Sequence, residues 1–185
     1  RGFRASGDVL FVPDLEGLRV LLRQGAELAR SLPDLPRRRY QEGLERTLAG
    51  LESTEVRRLV AQRVGQDLFR EALLDYWGGA CAVTGLDLPE LLFASHSKPW
   101  AEASDEERLD VYNGFLLRAD LDALFDRGLV TFDLRGELVS SPVLCPRHRE
   151  ALGLEGLRLR RISPFHGPYL AWHRCRVFRV QEPQG

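Results

Sequence analysis

Two adjacent glycines, Gly78-Gly79, divide the chain into segments of different texture. Before them, apolar residues recur at helical spacing. After them, apolar runs are short and interrupted by turn signals. This pattern predicts an α+β fold, with a helical N-terminal region (1–77) and a compact mixed domain (78–185).

In the first segment, Asp8-Val9-Leu10-Phe11-Val12 reads as a strand stopped by Pro13. Asp14 caps a helix through about Ser31, with Leu15, Leu18, Leu22 and Leu28 on one side. Leu32-Pro33-Asp34-Leu35-Pro36 reads as a linker. A second helix carries Tyr40, Leu44, Leu48 and Leu51 and ends near Gly50. Ser53-Thr54-Glu55 opens a third helix with the stripe Val56, Leu59, Val60 and Val64. Gly65 is expected to kink it, and Phe69, Leu73 and Tyr76 to face inward before it ends at Trp77. The stripes fit either a dimer surface or an intramolecular core.

The second segment begins with a predicted short strand and turn over Ala80–Gly85. A strand over Leu91–His96 follows, then a polar acidic loop from Trp100 to Asp110. Asn113-Gly114 is a turn signal before the apolar Phe115-Leu116-Leu117. A short helix runs to Asp126 and closes at Gly128. Leu129–Phe132 and Glu137–Ser140 form a hairpin. Pro168–Arg174 reads as a helix and Cys175–Val180 as a final strand.

The 44% hydrophobic content is enough for a core, and no apolar run reaches the length of a membrane span. No signal peptide is visible, so a cytoplasmic location away from any membrane is expected. The chain neither begins with Met nor contains one, as expected of a piece of something longer, with a target-recognition domain upstream. Cys81, Cys145 and Cys175 are widely separated and form no C-x-x-C pair. That argues for a reducing compartment and against a disulfide scaffold or zinc ribbon. Cys145-Pro-Arg-His148 has metal-like spacing but no second pair nearby.

Net charge is −1, yet its distribution is uneven. The stretch 86–137 is acidic, which fits a metal site. The stretch 142–185 is rich in arginine, which suits either a phosphate backbone or a solvated face.

The chemistry-bearing residues lie in that acidic stretch. His96 ends a strand beside Lys98-Pro99-Trp100, and Asp122 and Asp126 share one face of the following helix. A histidine near neutral pKa can deprotonate water, and a hard cation held by carboxylates can stabilise phosphate charge. Taken singly, each residue has a structural reading too. His96 fits a satisfied core histidine and Asn113 an Asn-Gly turn. Asp122 fits a helix cap and Asp126 a salt bridge to Arg127 or Arg118.

Together these residues resemble the HNH endonucleases of the ββα-metal superfamily, in the branch found in restriction-type enzymes. The resemblance rests on Gly79–Gly85, His96–Trp100, Asn113–Leu117 and Leu124–Gly128. It extends to the flanks Arg63–Arg70 and Tyr169–Arg174, covering roughly residues 54–180. It implies His96 as general base, Asn113 as the residue orienting the His96 segment, and Asp122 and Asp126 as metal ligands. It further implies DNA as substrate, with Lys98, Arg118 and Arg127 as phosphate contacts, and a restriction role. A pair of aspartates favours Mg²⁺ or Mn²⁺, and a homodimer would supply two sites for a double-strand cut. His96, Asp122 and Asp126 are expected to converge on one cation pocket. Ser95 stands where many relatives place a metal ligand. That departure implies the alternative of a degenerate module that binds DNA or protein without cutting.

Overall fold

A computed structural model of the chain describes residues 4–6, 9–11, 14–30, 34–48 and 54–180. Two compact units emerge, residues 1–32 and 33–185. In the first, β1 (Arg4–Ser6) pairs antiparallel with β2 (Val9–Phe11), and α1 spans Leu15–Arg30. The Asp14 carboxylate accepts from Gly17 N–H at 2.6 Å, as an N-cap should. Leu15, Leu18 and Leu22 share a face of α1 and are exposed.

The second unit opens with α2 (Asp34–Leu48) packed on α3 (Thr54–Trp77). The predicted linker over 32–36 gives way to helix from Asp34, with Pro36 tolerated in the first turn. The Ser53 cap and the predicted end near Gly50 lie outside the described residues. The helix α3 is continuous through Gly65. Gly65 makes room: a Cβ there would lie 2.1 Å from Trp100 Cη2.

Phe69, Leu73, Tyr76 and Trp77 of α3 are buried in one core with Phe115, Leu121, Phe125, Phe132 and Leu170. The predicted boundary at 77/78 therefore runs through this core. Ala80–Gly85 forms turns and no strand. Cys81 N–H bonds to Leu86 O, and Ala82 joins Leu116 O and Arg160 N–H, so the turn is sewn to the core from both sides.

At the centre, β3 (Leu92–His96) pairs antiparallel with β4 (Gly114–Arg118), with His96 opposite Gly114. The helix α5 (Ala119–Asp126) follows β4 directly and packs on β3, completing a strand–strand–helix unit. Asn113-Gly114 is no hairpin turn. Gly114 is extended, and a Cβ there would meet Ser95 O at 2.2 Å and Phe69 Cζ at 2.8 Å. Gly128, at φ +66, ends α5 in the left-handed conformation that favours glycine.

Within the predicted acidic loop sits a short helix, α4 (Asp105–Leu109), opened by a Ser104/Glu107 capping box. The predicted hairpin is present as β5 (Val130–Phe132) and β6 (Leu138–Ser140). Two further helices follow, α6 (Pro146–Ala151) and α7 (Gly167–Arg176). The latter covers part of the predicted final strand, which does not form.

Candidate active site

The strand–strand–helix unit places His96 at the end of β3, stacked on Phe69 of α3 (centroids 3.7 Å, planes 15° apart). Its Nε2 lies 3.0 Å from Arg108 O. A carbonyl only accepts, so Nε2 carries the proton and Nδ1 the lone pair. Burial pushes the imidazole down to about 4 despite that bond, which keeps it neutral at neutral pH. The Trp100 ring meets His96 edge-on at 6.0 Å and carries the Arg108 guanidinium at 5.1 Å.

Asn113 is fully buried and binds the segment after His96 through every polar atom of its side chain. Its Oδ1 accepts from Lys98 N–H at 2.8 Å. Its Nδ2 donates to Lys98 O at 3.2 Å and to Glu107 O at 2.8 Å. Its own carbonyl accepts from Ser97 N–H. One amide thus fixes the loop between β3 and α4, on which the carbonyl facing His96 also depends.

His96 and Asp126 line one cavity of about 370 Å³, with Gln66, Ser95, Trp100 and His173 among its other walls. Burial raises Asp126 to about 6, the neighbouring Asp122 charge adds to the rise, and Arg127 opposes it. Asp122 is also raised by burial, against the lowering influence of Ser95 and Arg127. The Asp122 charge disfavours that of Asp126, a repulsion that a cation such as Mg²⁺ would relieve. That ion commonly takes one or two carboxylates and completes its shell with water and substrate phosphate. The predicted three-way convergence is only partial. Asp122 accepts a hydrogen bond from the Ser95 hydroxyl and is not among the cavity's lining residues. Among the described residues, no three His, Cys, Asp or Glu side chains cluster as a metal site.

Residues 81–133 match the family model for HNH endonuclease. This HNH segment holds β3, β4 and α5, hence His96, Asn113, Asp122 and Asp126. It points to nuclease chemistry on DNA. The search of curated proteins returned no match to the chain. No helix among the described residues is long and apolar enough to cross a membrane, and all three cysteines are free.

The three cations expected at phosphate differ in their engagements. Lys98 Nζ is 2.6 Å from Glu107 Oε2, and Arg118 Nε is 2.6 Å from Asp120 Oδ1. Both therefore serve internal ion pairs. Arg127 is exposed, donates from Nη1 to Ala123 O, and is the charge that acts on both aspartates of the HNH helix. Part of the basic C-terminal stretch is likewise structural. Arg160 donates to the carbonyls of Trp77, Ala80 and Cys81, and Arg174 to Phe132 O.

Residue-by-residue reading missed several parts of the site outside the HNH segment. Phe69 is the platform under His96. Arg70 donates to Leu92 O and to Pro89 O, holding the start of β3. His173 is buried, with Nε2 donating to Phe125 O at 3.0 Å and Nδ1 accepting from Thr131 Oγ1 at 3.1 Å. It stacks on Phe125 at 3.9 Å and so ties α7 to the end of α5. Both flanking blocks, Arg63–Arg70 and Tyr169–Arg174, contained the signal. Their contacts span too many residues for spacing to reveal.

Proposed function

We propose that this chain is a divalent-metal-dependent endonuclease that hydrolyses DNA phosphodiester bonds at the His96–Asp126 cavity. The observation that carries this reading is a neutral imidazole with Nε2 already committed to Arg108 O, lining the same cavity as a carboxylate. His96 Nδ1 takes the proton of a water molecule as that water's oxygen attacks phosphorus and the bond to the leaving oxygen breaks. Negative charge from the phosphate raises the imidazole's proton affinity as substrate arrives. Asp126, with Asp122 on the same helix face, would hold the metal, and Arg127 would face a phosphate. When bound, Mg²⁺ or Mn²⁺ supplies charge stabilisation to the phosphate and leaving oxygens. Asn113 keeps the base's loop in place.

The test is plasmid cleavage with Mg²⁺ or Mn²⁺. His96→Ala is expected to abolish cutting while leaving DNA binding nearly unchanged, and EDTA to stop the wild-type reaction. Undiminished cutting by His96→Ala removes the base assignment, and chelator-resistant cutting removes the metal. The Ser95–Asp122 bond favours a second reading, a DNA-binding module without hydrolysis. Binding without nicking across a panel of divalent ions would select it. The restriction-type resemblance supports a role against foreign DNA, which phage plating on expressing cells checks.

A further inference from the structure

The helix segment Arg63–Arg70 lies outside residues 81–133, yet four of its residues reach the site. Gly65 gives Trp100 its seat, Phe69 carries His96, and Arg70 holds the start of β3. The fourth, Gln66, is different. It is exposed, lines the cavity with His96 and Asp126, and its amide makes no hydrogen bond among the described residues. Its neighbours along α3 are engaged: Arg63 pairs with Asp67 at 3.3 Å.

We infer that Gln66 is a substrate-binding residue whose amide Nε2 donates a hydrogen bond to a non-bridging oxygen of the phosphodiester in the cavity. The inference rests on the nuclease reading above and extends its site onto α3. An uncharged donor suits this wall. A cation there would compete for the carboxylate at 126, whereas an amide binds anionic oxygen without neutralising it. Helix α3 is anchored by Phe69, Leu73 and Tyr76, so the donor is presented from a rigid element.

The experiment compares wild type with Gln66→Ala, Gln66→Glu and Gln66→Lys in the full chain. It measures kcat/KM on oligonucleotides of several sequences, DNA affinity by anisotropy in EDTA, and Tm. Gln66→Ala is expected to lower kcat/KM about tenfold to a hundredfold on every sequence, as for one bond to a charged group. Gln66→Glu, which loses the donor and adds repulsion, falls further and also weakens binding. Gln66→Lys does not restore the rate, because its cation competes for the carboxylate at 126, and Tm moves by less than about 2 °C in all three because the side chain is exposed. Wild-type rates for Gln66→Glu overturn the inference. A drop confined to particular sequences overturns it too, because it assigns Gln66 to base reading. Failure of the wild type itself to cut is a different result and refutes the nuclease proposal instead.

Discussion

Two imidazoles with opposite fates meet at one cavity. His96 and His173 are both pushed by burial to about 4. The former bonds through one nitrogen and keeps the other free, whereas the latter uses both. For His173, the folded pKa lies below the unfolded value near 6.5. The neutral ring's contribution to stability is therefore fully present above 6.5 and is lost as pH falls from there through about 4. At full size it is worth about 3 kcal/mol. The expected outcome is that the His173 ring resonances stay flat in NMR titration down to about pH 5. Stability by urea unfolding should decline over the same range. A midpoint near 6.5 would mean that the ring is not buried where α7 meets α5. At this scale the shared cavity of His96 and Asp126 follows the local blocks of the sequence, whereas Asp122, expected with them, is not among its lining residues. Ser95's bond to Asp122 was not legible in the sequence, since it links positions 27 apart through folding alone.

Elements were legible where period and caps agreed. α5 follows from its apolar spacing and Gly128, and the β5–β6 hairpin from its four-residue turn. The capping pattern Ser104–Glu107 was present in the sequence but hidden by the charge of its surroundings. Alternation over 175–180 misled because α7 runs on to Arg176. Gly65 shows how one residue type carries two messages. Glycine in a helix costs about 1 kcal/mol relative to alanine, so Gly65→Ala should stabilise α3 on propensity alone. Steric contact decides otherwise. The new Cβ would overlap Trp100, whose ring is held between α3 and Arg108. Gly65→Ala is expected to destabilise the chain by about 1–3 kcal/mol, shift tryptophan fluorescence and reduce cleavage. A rise in Tm would show that Trp100 swings away freely.

Across the whole molecule, where the chain can be divided follows from where it is buried. Every buried hydrophobic side chain of the core, among the described residues, falls between Phe69 and Leu170. Residues 1–32 form a separate compact unit, whereas the C-terminal half of α3 is part of the core and lends Gln66 to the cavity of His96. Composition changes at Gly78-Gly79 because helix stops there, but the core has members on both sides of that point. Two truncations separate these alternatives. A fragment of residues 33–185 has the size and core of an independent domain. It should melt cooperatively within about 5 °C of the full chain and keep its cleavage rate. A fragment of residues 78–185 loses Phe69, Leu73, Tyr76 and Trp77 together, and with them the platform of His96. Removing even one such aromatic from a core costs about 3–5 kcal/mol, so this fragment should be unfolded by circular dichroism and inactive. If 78–185 folds and cuts, α3 is an accessory to the site and not one of its walls.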